Sequence, residues 1–440
     1  MRMLDRLIEK TKTAPVHNPR GVVLDVVGLI VEVGGLRAAV GDTLAVDSAR
    51  GLELEVVGFR GGRLLATPLG PLAGVRPGAR VFRTHRGASV PASKGLLGRV
   101  IDSFGRPLDG EPAPELDRMV PVHAPPPPPF ARRPIDRPFA TGVRAVDALL
   151  PLGIGQRMGI FAGAGVGKST LLGMICRSSQ ADVNVVGLIG ERGRELNDFI
   201  RQSLGAEGLS RTVVVAATSD QPPLVRARGA ESATALAEYF RNQGLSVLLV
   251  MDSITRYAMA LREAALAAGE PPATKGYPPS VFAALPRLLE RAGTGGCNGV
   301  ITALYTVLVE GDDMSDPIAD SVRSILDGHL VLSRELAEKG HFPAIDVLQS
   351  VSRLAPEIAH PDDLRAGALL RDLLSVYREV ADLIQVGAYV TGSDPRVEAA
   401  RAAMPHLEAF LKQGMNERIS ADEARARLHV LARQAIGRAG

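Results

Sequence analysis

The sequence predicts an α/β protein in three parts: a small N-terminal β-barrel, a central domain with a mostly parallel sheet, and a C-terminal helical domain. Short β-branched segments separated by Gly and Pro dominate residues 21–93. Residues 94–349 alternate apolar strands with helical stretches, and residues 350–440 contain only helical patterns. With residues 1–20 as a separate amphipathic segment, the 440 residues divide into parts of ordinary domain size.

Composition excludes several classes of protein. Hydrophobic residues make up 46% of the chain and charged residues 22%, which is the balance of a globular protein and not of a disordered one. No apolar run approaches the roughly 18 residues that a membrane helix needs, and the charged start has no apolar centre typical of a secretory signal. The net charge of +3 is too small to indicate nucleic-acid binding by itself.

The two cysteines, Cys176 and Cys297, lie among mostly apolar or small residues. Two are too few for a disulfide scaffold and are compatible with a reducing cytosol. We therefore expect both to be buried structural thiols.

Residues 1–12 predict a short amphipathic helix. One face carries its apolar residues, Met3, Leu4, Leu7 and Ile8. Two interpretations are open: the segment docks on its own domain, or it binds a partner protein. A helix this short is marginal in water, so in either case a surface must cover the apolar stripe.

Six short β-branched segments follow, separated by Gly and Pro turns. They are Val22–Val27, Leu29–Val33, Leu44–Val46, Leu52–Gly58, Leu64–Thr67 and Ala79–Arg83. This spacing is typical of a small sandwich or barrel, and a barrel closes its own edges. Further on, the five prolines Pro125–Pro129 cannot donate backbone hydrogen bonds and predict a stiff extended connector rather than a peptide ligand.

The central strands are predicted at Met158–Ala162, Val183–Ile189, Thr212–Ala216, Val247–Met251, Val300–Tyr305 and Leu330–Ser333. Helical stretches lie between most of them, and such alternation implies a mostly parallel sheet with helices on both faces. No strand-like run recurs beyond about residue 350. The last predicted helices are Leu364–Val386, Pro395–Gln413 and Ala421–Ile436.

The strongest chemical signal is the segment from Ala162 to Ser169, Ala-Gly-Ala-Gly-Val-Gly-Lys-Ser. It lies between an apolar strand and a helical run, Thr170–Arg177, as a phosphate-binding P-loop does, although the strict pattern has glycine where this chain has Ala162. Backbone N–H groups of the loop and the helix N-terminus would bind phosphate oxygens. Lys168 would reach the β- and γ-phosphates, and Ser169 would ligate Mg²⁺. The predicted nucleotide-binding residues here are Gly163, Ala164, Gly165, Val166, Gly167, Lys168, Ser169 and Thr170.

Two carboxylates are predicted at the same edge of the sheet. The apolar run 247–251 ends at Asp252, at the carboxyl end of a strand, where open α/β sheets bind ligands. This aspartate would hold the Mg²⁺ shell. Glu191 follows the strand Val183–Ile189, and a carboxylate there could polarise the attacking water. A charge run at a helix start is also often only a solvated surface, so both interpretations of Glu191 are open on the pattern alone.

Longer motifs indicate a family. The segment Pro343–Arg353, PAIDVLQSVSR, resembles the signature of the α and β subunits of rotary ATP synthases, and Gly190–Glu195, GERGRE, resembles the catalytic β subunit. Further motifs resemble the type III secretion ATPases, the flagellar export branch most closely: Gly276–Phe282, Leu288–Gly293, Thr306–Asp313 and Ser324–His329. The resemblance runs from about residue 21 to the end and is dense over 97–353. The P-loop of this subfamily resembles A-G-x-G-V-G-K-S, which has alanine at the position of Ala162.

The resemblance implies a RecA-like central domain and roles for single residues. Glu191 would be the catalytic glutamate that activates water, and Arg192 would lie beside the nucleotide phosphates. Asp252 would be the Walker-B aspartate. Arg353 would be an arginine finger that reaches the γ-phosphate in the neighbouring subunit's site, a contribution worth ~10³–10⁵ in rate. Phe342 stands where the catalytic β subunit has an adenine-stacking tyrosine, and a plain core aromatic is the alternative.

The implied function is hydrolysis of Mg-ATP by in-line attack of water on the γ-phosphate, with Lys168, Glu191, Arg192 and Arg353 as the catalytic residues. One chain carries P-loop, base and finger, which permits a homohexamer with a complete site at each interface. The resemblance further implies export of flagellar proteins from the cytoplasmic side of an inner-membrane apparatus. Implied partners are a stator-like regulatory protein at the N-terminal segment, a central-stalk coiled coil, the membrane export gate, export chaperones and export substrates.

Other functions stay open from the sequence. The same chemistry could serve an injectisome-type secretion ATPase or a rotary synthase catalytic subunit, but Tyr277–Phe282 and the acidic turn Glu310–Asp313 favour secretion. A hexameric RNA translocase shares the core and the finger but needs aromatics that stack on bases. Before residue 90 the only aromatics are Phe59 and Phe82, so we expect no nucleic acid. Glu191 disfavours an inactive binding module, because the inactive subunit of the synthases, which this chain resembles, has Gln at the corresponding position.

Overall fold

The computed structural model describes residues 20–47, 51–84, 87–296, 298–309, 311, 313 and 315–439, with the backbone alone beyond residue 435. The predictions for residues 1–19, for Cys297, and for Glu310 and Asp312 of the acidic turn lie outside the described residues. Among the helices that are described, none is long and apolar enough to cross a membrane.

Six antiparallel strands close into a barrel, as the sequence predicts. Their bounds are β1 Arg20–Val27, β2 Ile30–Gly34, β3 Thr43–Val46, β4 Glu53–Arg60, β5 Arg63–Pro68 and β6 Arg80–Arg83. They pair in the order β1-β2-β5-β4-β3-β6 and back to β1. Alternate side chains point inward and form one apolar core, in which Val31, Val33 and Leu54 are fully buried. The unit includes the described residues up to Ala88 together with Glu263–Pro271.

A second unit, residues 89–262 and 272–440, contains the predicted central sheet. Its strands are β7 Ser89–Ala92, β8 Val100–Ile101, β9 Arg118–Pro121, β10 Pro138–Phe139, β11 Leu152–Gly153, β12 Arg157–Ala162, β13 Val183–Glu191, β14 Thr212–Thr218, β15 Ser246–Asp252, β16 Gly293–Thr294, β17 Val300–Leu308, β18 Gly328–Leu332 and β19 Val351–Ser352. The main sheet has the order β19-β18-β12-β17-β15-β13-β14-β8, with β16 beside β17. All neighbours from β18 to β8 are parallel, so their carboxyl ends lie on one edge.

The apolar runs that predicted these strands are buried on both faces. β13, β15 and β17 lie in the middle of the sheet and are buried over nearly their whole length, as parallel strands covered by helices must be. The structure adds short strands beyond the prediction: β7 to β11 and β16 have only two to four residues each. Past residue 350, where no strand was predicted, Val351–Ser352 also forms one and pairs antiparallel with the start of β18. Two residues are too few to show an alternating pattern, so no sequence signal indicated this edge strand.

Helices cover the sheet and end the chain. The α-helices within the described residues are α1 Arg144–Leu149, α2 Lys168–Ser178, α3 Gly193–Asp198, α4 Gly205–Ser210, α5 Pro223–Asn242, α6 Ile254–Ala268, α7 Pro279–Leu289, α8 Pro317–Ile325, α9 Arg334–Glu338, α10 Ala355–Ile358, α11 Pro361–Gln385, α12 Pro395–Leu411 and α13 Ala421–Ala439. A π-helical segment, Phe199–Leu204, joins α3 to α4. The proline-rich connector forms neither strand nor α-helix, and it ends in a 3₁₀ turn at Pro129–Ala131.

Helices α11, α12 and α13 confirm the predicted helical end of the chain. Their residues Leu370, Leu407 and Leu428 belong to the same buried apolar cluster as Ile160 of β12 and Leu172 of α2. The C-terminal helices therefore share one core with the helices and strands around the P-loop. The domain boundaries that the sequence suggests between them stay predictions.

Candidate active site

The carboxyl edge of the sheet brings together the segments that the sequence singled out. β12 leads into the loop Gly163–Gly167 and helix α2, β13 ends at Glu191, and β15 ends at Asp252. In the sheet, β17 lies between β12 and β15, and β13 follows β15. Because these strands are parallel, the residues at their ends meet at one edge, which is where open α/β sheets bind ligands.

The loop between β12 and α2 has the backbone of an anion-binding turn. Gly165 and Gly167 have φ angles of +80° and +84°, which residues with a side chain rarely adopt. Ala164 and Gly165 are exposed, and α2 begins at Lys168. The first N–H groups of a helix have no partner within it, so they and the loop can bind phosphate oxygens.

Ala162 stands where the strict P-loop pattern has glycine. It is the last residue of β12 and pairs with Leu308 of β17 and Leu332 of β18. Its backbone is an ordinary strand conformation, so alanine needs none of the conformational freedom of glycine there. The departure from the pattern therefore does not disturb the loop.

Lys168 is held between the two predicted carboxylates. Its ammonium donates to Oδ1 of Asp252 and lies 3.7 Å from Oε1 of Glu191. The side chains of Lys168, Asp252 and Glu191 are only 12%, 4% and 17% exposed. Burial lowers the pKa of Lys168, but the charges of Asp252 and Glu191 outweigh it and raise that pKa above its usual value. The lysine is thus kept charged at the place where phosphates would arrive.

Glu191 has the properties of a base poised near neutral pH. Burial, followed by the negative charge of Asp252, raises its pKa to about 7, and a hydrogen bond with Glu195 adds to this rise. The same hydrogen bond lowers the pKa of Glu195. A general base is most effective when its pKa lies near the working pH. The low exposure of Glu191 does not fit the alternative of a solvated surface charge.

We expect kcat/KM for ATP hydrolysis to rise with pH through about 7, because Glu191 accepts a proton only in its charged form. This ratio reports the free enzyme, in which the pKa is raised, so it should fall about tenfold per unit well below that pKa. Steady-state rates between about pH 5.5 and 8.5 measure the effect, with Glu191→Gln as the control that should lack it. A wild-type profile that is flat across neutrality would contradict the assignment.

Arg192 lies outside this buried cluster. Its side chain is 83% exposed and lies 3.8 Å from Glu195. The sequence analysis missed another cation: the aliphatic part of the Arg256 side chain, on α6, packs against Gly190, the residue before Glu191, whose φ is +71°. Nε of Arg256 is buried without a hydrogen-bond partner. The sequence offers one indication of Arg256, which is its position in the first helical turn after the strand that ends at Asp252.

Phe342 lies beside the P-loop, on a pocket of about 380 Å³. The residue is 44% exposed, and its ring comes within 3.2 Å of the place that a Cβ on Gly167 would occupy. Other walls of the pocket come from α2 and from Gln413 and Met415 near the C-terminus. An exposed ring over a mainly apolar pocket differs from a core aromatic and fits a surface on which a base could stack.

Sequence reasoning missed Gln413 and Met415, which lie far beyond the P-loop in the chain. Gln413 accepts from the backbone N–H of Arg144 and donates to the carbonyl of Gly142, each at 2.8 Å. Arg177 of α2 donates to the carbonyl of Met415 at 2.5 Å. These bonds tie the C-terminal wall of the pocket to α1 and α2, and no local motif signals such a long-range contact.

Arg353 lies far from the P-loop of its own chain. It follows β19, and its backbone N–H donates at 3.0 Å to the carbonyl of Asp327, just before β18 begins. The P-loop lies at the opposite, carboxyl edge, and a five-residue strand such as β18 spans roughly 17 Å. This distance exceeds the length of an arginine side chain. The exposed guanidinium donates to the carbonyl of Arg323, so within one chain it is not brought to the nucleotide loop.

The motif that resembles the synthase signature holds the turn before β19. Buried Asp346 accepts from two backbone N–H groups of the turn and, at 3.0 Å, from the guanidinium of Arg378 on α11. Ser350 donates to the carbonyl of Asp346 and accepts from a backbone N–H of β18. Asp346 and Ser350 therefore position the segment that carries Arg353.

A barrel, a parallel sheet with a P-loop at its carboxyl edge, and packed C-terminal helices define a RecA-like P-loop ATPase as the class of protein. The model of the ATP synthase alpha/beta family nucleotide-binding domain matches residues 142–352, and that of the T3SS EscN ATPase C-terminal domain matches residues 359–430. The chain is 52% identical to the "Flagellum-specific ATP synthase" of Pseudomonas aeruginosa over 414 residues, covering 93% of this chain and 92% of that protein. It is also 52% identical to the "Type 3 secretion system ATPase" of Xanthomonas euvesicatoria over 415 residues, covering 93% and 94%.

Among solved structures, the assembled ATPase EscN of the enteropathogenic E. coli type III secretion system matches with a TM-score of 0.88 at 44% identity, covering 94% of this chain and 100% of that one. The chain belongs to the ATP synthase α/β family and, within it, to the flagellum-specific and type III secretion ATPases. The predicted family, fold class and ATPase activity are thereby confirmed. An RNA translocase and an inactive binding module are excluded, and the C-terminal match separates the chain from the rotary synthase subunits.

Proposed function

We propose that the chain is the ATPase that energises protein export through a flagellar type III secretion apparatus. The observation that carries the proposal is Lys168 between Asp252 and Glu191 at the carboxyl edge, in a chain related over nearly its whole length to flagellum-specific enzymes. Transfer of a phosphoryl group to water needs a positive charge at the phosphates, a carboxylate for the metal and a base near neutral pKa. The charged lysine, the buried aspartate and the glutamate with a pKa of about 7 can supply these three functions.

ATP would bind with its phosphates on Gly163–Gly167 and the first turn of α2, and with its base against Phe342. Lys168 would then exchange its two carboxylate partners for the β- and γ-phosphates. Glu191, released from the ammonium, would take a proton from the water that attacks the γ-phosphate in line. Catalysis in such a site rests on positioning and on electrostatic stabilisation of the transition state.

The oxygen donors at this edge fit Mg²⁺, which takes one or two protein ligands and completes its shell with phosphates and water. Ser169, exposed in the first turn of α2, and Asp252, buried at the end of β15, would hold it. Nowhere in the described part of the chain do three or more His, Cys, Asp or Glu side chains form a metal site of their own. When bound, Mg²⁺ neutralises charge on the β- and γ-phosphates.

Within one chain Arg353 and the P-loop lie at opposite edges of the sheet, which supports a role for Arg353 between two chains. We infer a homohexamer in which Arg353 of one chain completes the site of the next, a closed ring of identical interfaces. The relative EscN is an assembled ATPase, and a second structure of it, with a TM-score of 0.87 to this chain, contains its central stalk EscO. The role of Arg192 beside the phosphates stays a prediction, since its exposed side chain would have to turn away from Glu195.

The remaining partners are proposed from the family. They are a central-stalk coiled coil, a stator-like regulatory protein at residues 1–20, the inner-membrane export gate, and export chaperones with their substrates. The ATPase would lie on the cytoplasmic side, peripheral to the membrane apparatus, and no nucleic acid is expected.

An injectisome is the second candidate for the machine that the enzyme serves. In its favour, the Xanthomonas secretion ATPase and the Pseudomonas flagellar relative are equally similar to this chain, each at 52% identity. The chemistry at the carboxyl edge is the same in both cases, so only the exported proteins distinguish them.

Cells that carry Lys168→Ala in place of the natural gene should assemble few or no flagellar filaments, because the variant lacks the charge that faces the β- and γ-phosphates. Filaments counted by electron microscopy measure the effect, and the purified variant should bind a fluorescent ATP analogue at least ~10-fold more weakly. Lys339→Ala, which removes an exposed lysine paired with Glu335, is the matched control and should behave as wild type. Normal filaments together with lost secretion of injectisome proteins would favour the second candidate.

A further inference from the structure

Thr306 places a buried hydroxyl in the apolar run of β17. Its side chain is fully buried, and β17 lies between β12, which leads into the P-loop, and β15, which ends at Asp252. The strand register puts Thr306 opposite Ile160 of β12 and its neighbour Tyr305 opposite Met251 of β15. Thr306 therefore lies level with Asp252 at the carboxyl edge.

The proton of this hydroxyl has a preferred acceptor. Oγ1 of Thr306 lies 2.6 Å from Oδ1 of Asp252 and 3.3 Å from the carbonyl oxygen of Met251. Both partners are acceptors and a hydroxyl carries one proton, so the shorter contact receives it. A hydrogen bond to a carboxylate is charge-assisted and stronger than one between neutral groups.

Oδ1 of Asp252 thus accepts from two donors, Thr306 and the ammonium of Lys168. The other carboxylate oxygen, Oδ2, takes part in neither of these bonds. When Lys168 turns to the phosphates of ATP, Thr306 is the one of the two donors that stays on Oδ1. The carboxylate torsion of an aspartate is broad, so a donor fixed in the sheet would decide which oxygen faces the ligand.

We propose that Thr306 is a positioning residue for ATP hydrolysis: its hydroxyl holds Oδ1 of Asp252 and so keeps Oδ2 free for the metal–nucleotide complex. This inference rests on the role proposed above for Asp252. It assigns Thr306 no contact with substrate, since the residue acts through the carboxylate. Groups that orient a metal-holding side chain in this way typically contribute about 10–100-fold to metal affinity or activity.

Thr306→Val removes the hydroxyl at nearly constant volume, and Thr306→Ser keeps the hydroxyl while removing the methyl group. A fluorescent ADP analogue is bound first in EDTA and then across a Mg²⁺ titration, which reports the metal requirement without turnover. In Thr306→Val we expect the affinity for the ADP analogue in EDTA to stay within about twofold of wild type. The Mg²⁺ requirement, which is the Mg²⁺ concentration that gives half of the maximal effect on binding, should rise about 10–100-fold. Thr306→Ser should restore the requirement to within about threefold of wild type.

Thr302→Val is the matched control on the same strand. Thr302 is also fully buried, and its hydroxyl accepts from the backbone N–H of Gly155 at 2.9 Å, away from the carboxyl edge. Losing that bond should lower the melting temperature and leave the Mg²⁺ requirement unchanged. If Thr306→Val does not fold, Thr306→Ala is titrated in the same way.

A Mg²⁺ requirement that is unchanged in Thr306→Val, or raised equally in Thr306→Ser, would overturn the role of Thr306. Asp252→Asn separates this inference from the one on which it rests, and it should raise the requirement at least as far as Thr306→Val does. If Asp252→Asn raises it and Thr306→Val does not, Thr306 has no such role while that of Asp252 stands. If neither variant raises it, both roles are wrong.

Discussion

Replacing Arg353 with alanine should reduce ATP turnover by ~10³-fold or more, while affinity for a fluorescent ADP analogue stays within about threefold of wild type. An arginine finger stabilises charge that develops on the γ-phosphate in the transition state, so ADP binding does not depend on it. The structure places Arg353 beyond the amino end of β18, at the opposite edge of the sheet from the P-loop. We therefore expect its effect in the site of a neighbouring subunit of the proposed ring.

Mixing Arg353→Ala chains with Glu191→Gln chains tests this directly. In a randomly mixed ring about one interface in four pairs an intact Glu191 with an intact Arg353, so part of the wild-type activity should return. Arg365→Ala is the control, because Arg365 forms an exposed pair with Asp362 on α11 and its loss should leave turnover unchanged. Absence of rescue in rings whose mixed composition is confirmed by mass would mean that the finger does not act between chains.

Glu191→Gln should lower turnover by ~10²-fold or more with nucleotide binding retained. Glutamine preserves the size of the side chain and its ability to hydrogen-bond, but it cannot take a proton from the attacking water. The buried site, which raises the pKa of Glu191 to about 7, is what makes this carboxylate a base of useful strength. Single-turnover hydrolysis measured at saturating enzyme separates the chemical step from binding and product release.

Glu207→Gln is the matched control for the loss of a carboxylate. Glu207 is an exposed residue of α4 that pairs with Arg418, so its substitution should leave turnover within about twofold. Turnover of Glu191→Gln within threefold of wild type would show that another group activates the water.

The parts of the fold that the sequence predicted are those set by local pattern. The six barrel segments alternate over a few residues, and the buried strands Val183–Glu191, Ser246–Asp252 and Val300–Leu308 are nearly continuous apolar runs. The P-loop is also local, because its glycines and the helix that starts at Lys168 are contiguous in the chain. Such features depend on residues within one or two turns of each other, and a sequence displays them directly.

The parts that could not be predicted depend on residues brought together from distant segments. In the sequence, Thr306 is one residue of an apolar strand and nothing marks it. Its hydroxyl meets Asp252 only because β17 lies beside β15 in the sheet. Likewise, Gln413 and Met415 join the pocket at Phe342 only because the C-terminal helices pack on α1 and α2. No spacing rule links these positions.

By itself, the sequence determined the fold class, the P-loop and the carboxylates that end two strands, because each follows from backbone periodicity or from a contiguous motif. Only the tertiary structure decided that Lys168 lies between Asp252 and Glu191, and that Arg353 is at the opposite edge from its own P-loop. The pKa of Glu191 depends on burial and on neighbouring charges, both of which arise only when separate strands pack side by side. A sequence states which groups are present, whereas the order and direction of strands in the sheet decide which of them interact.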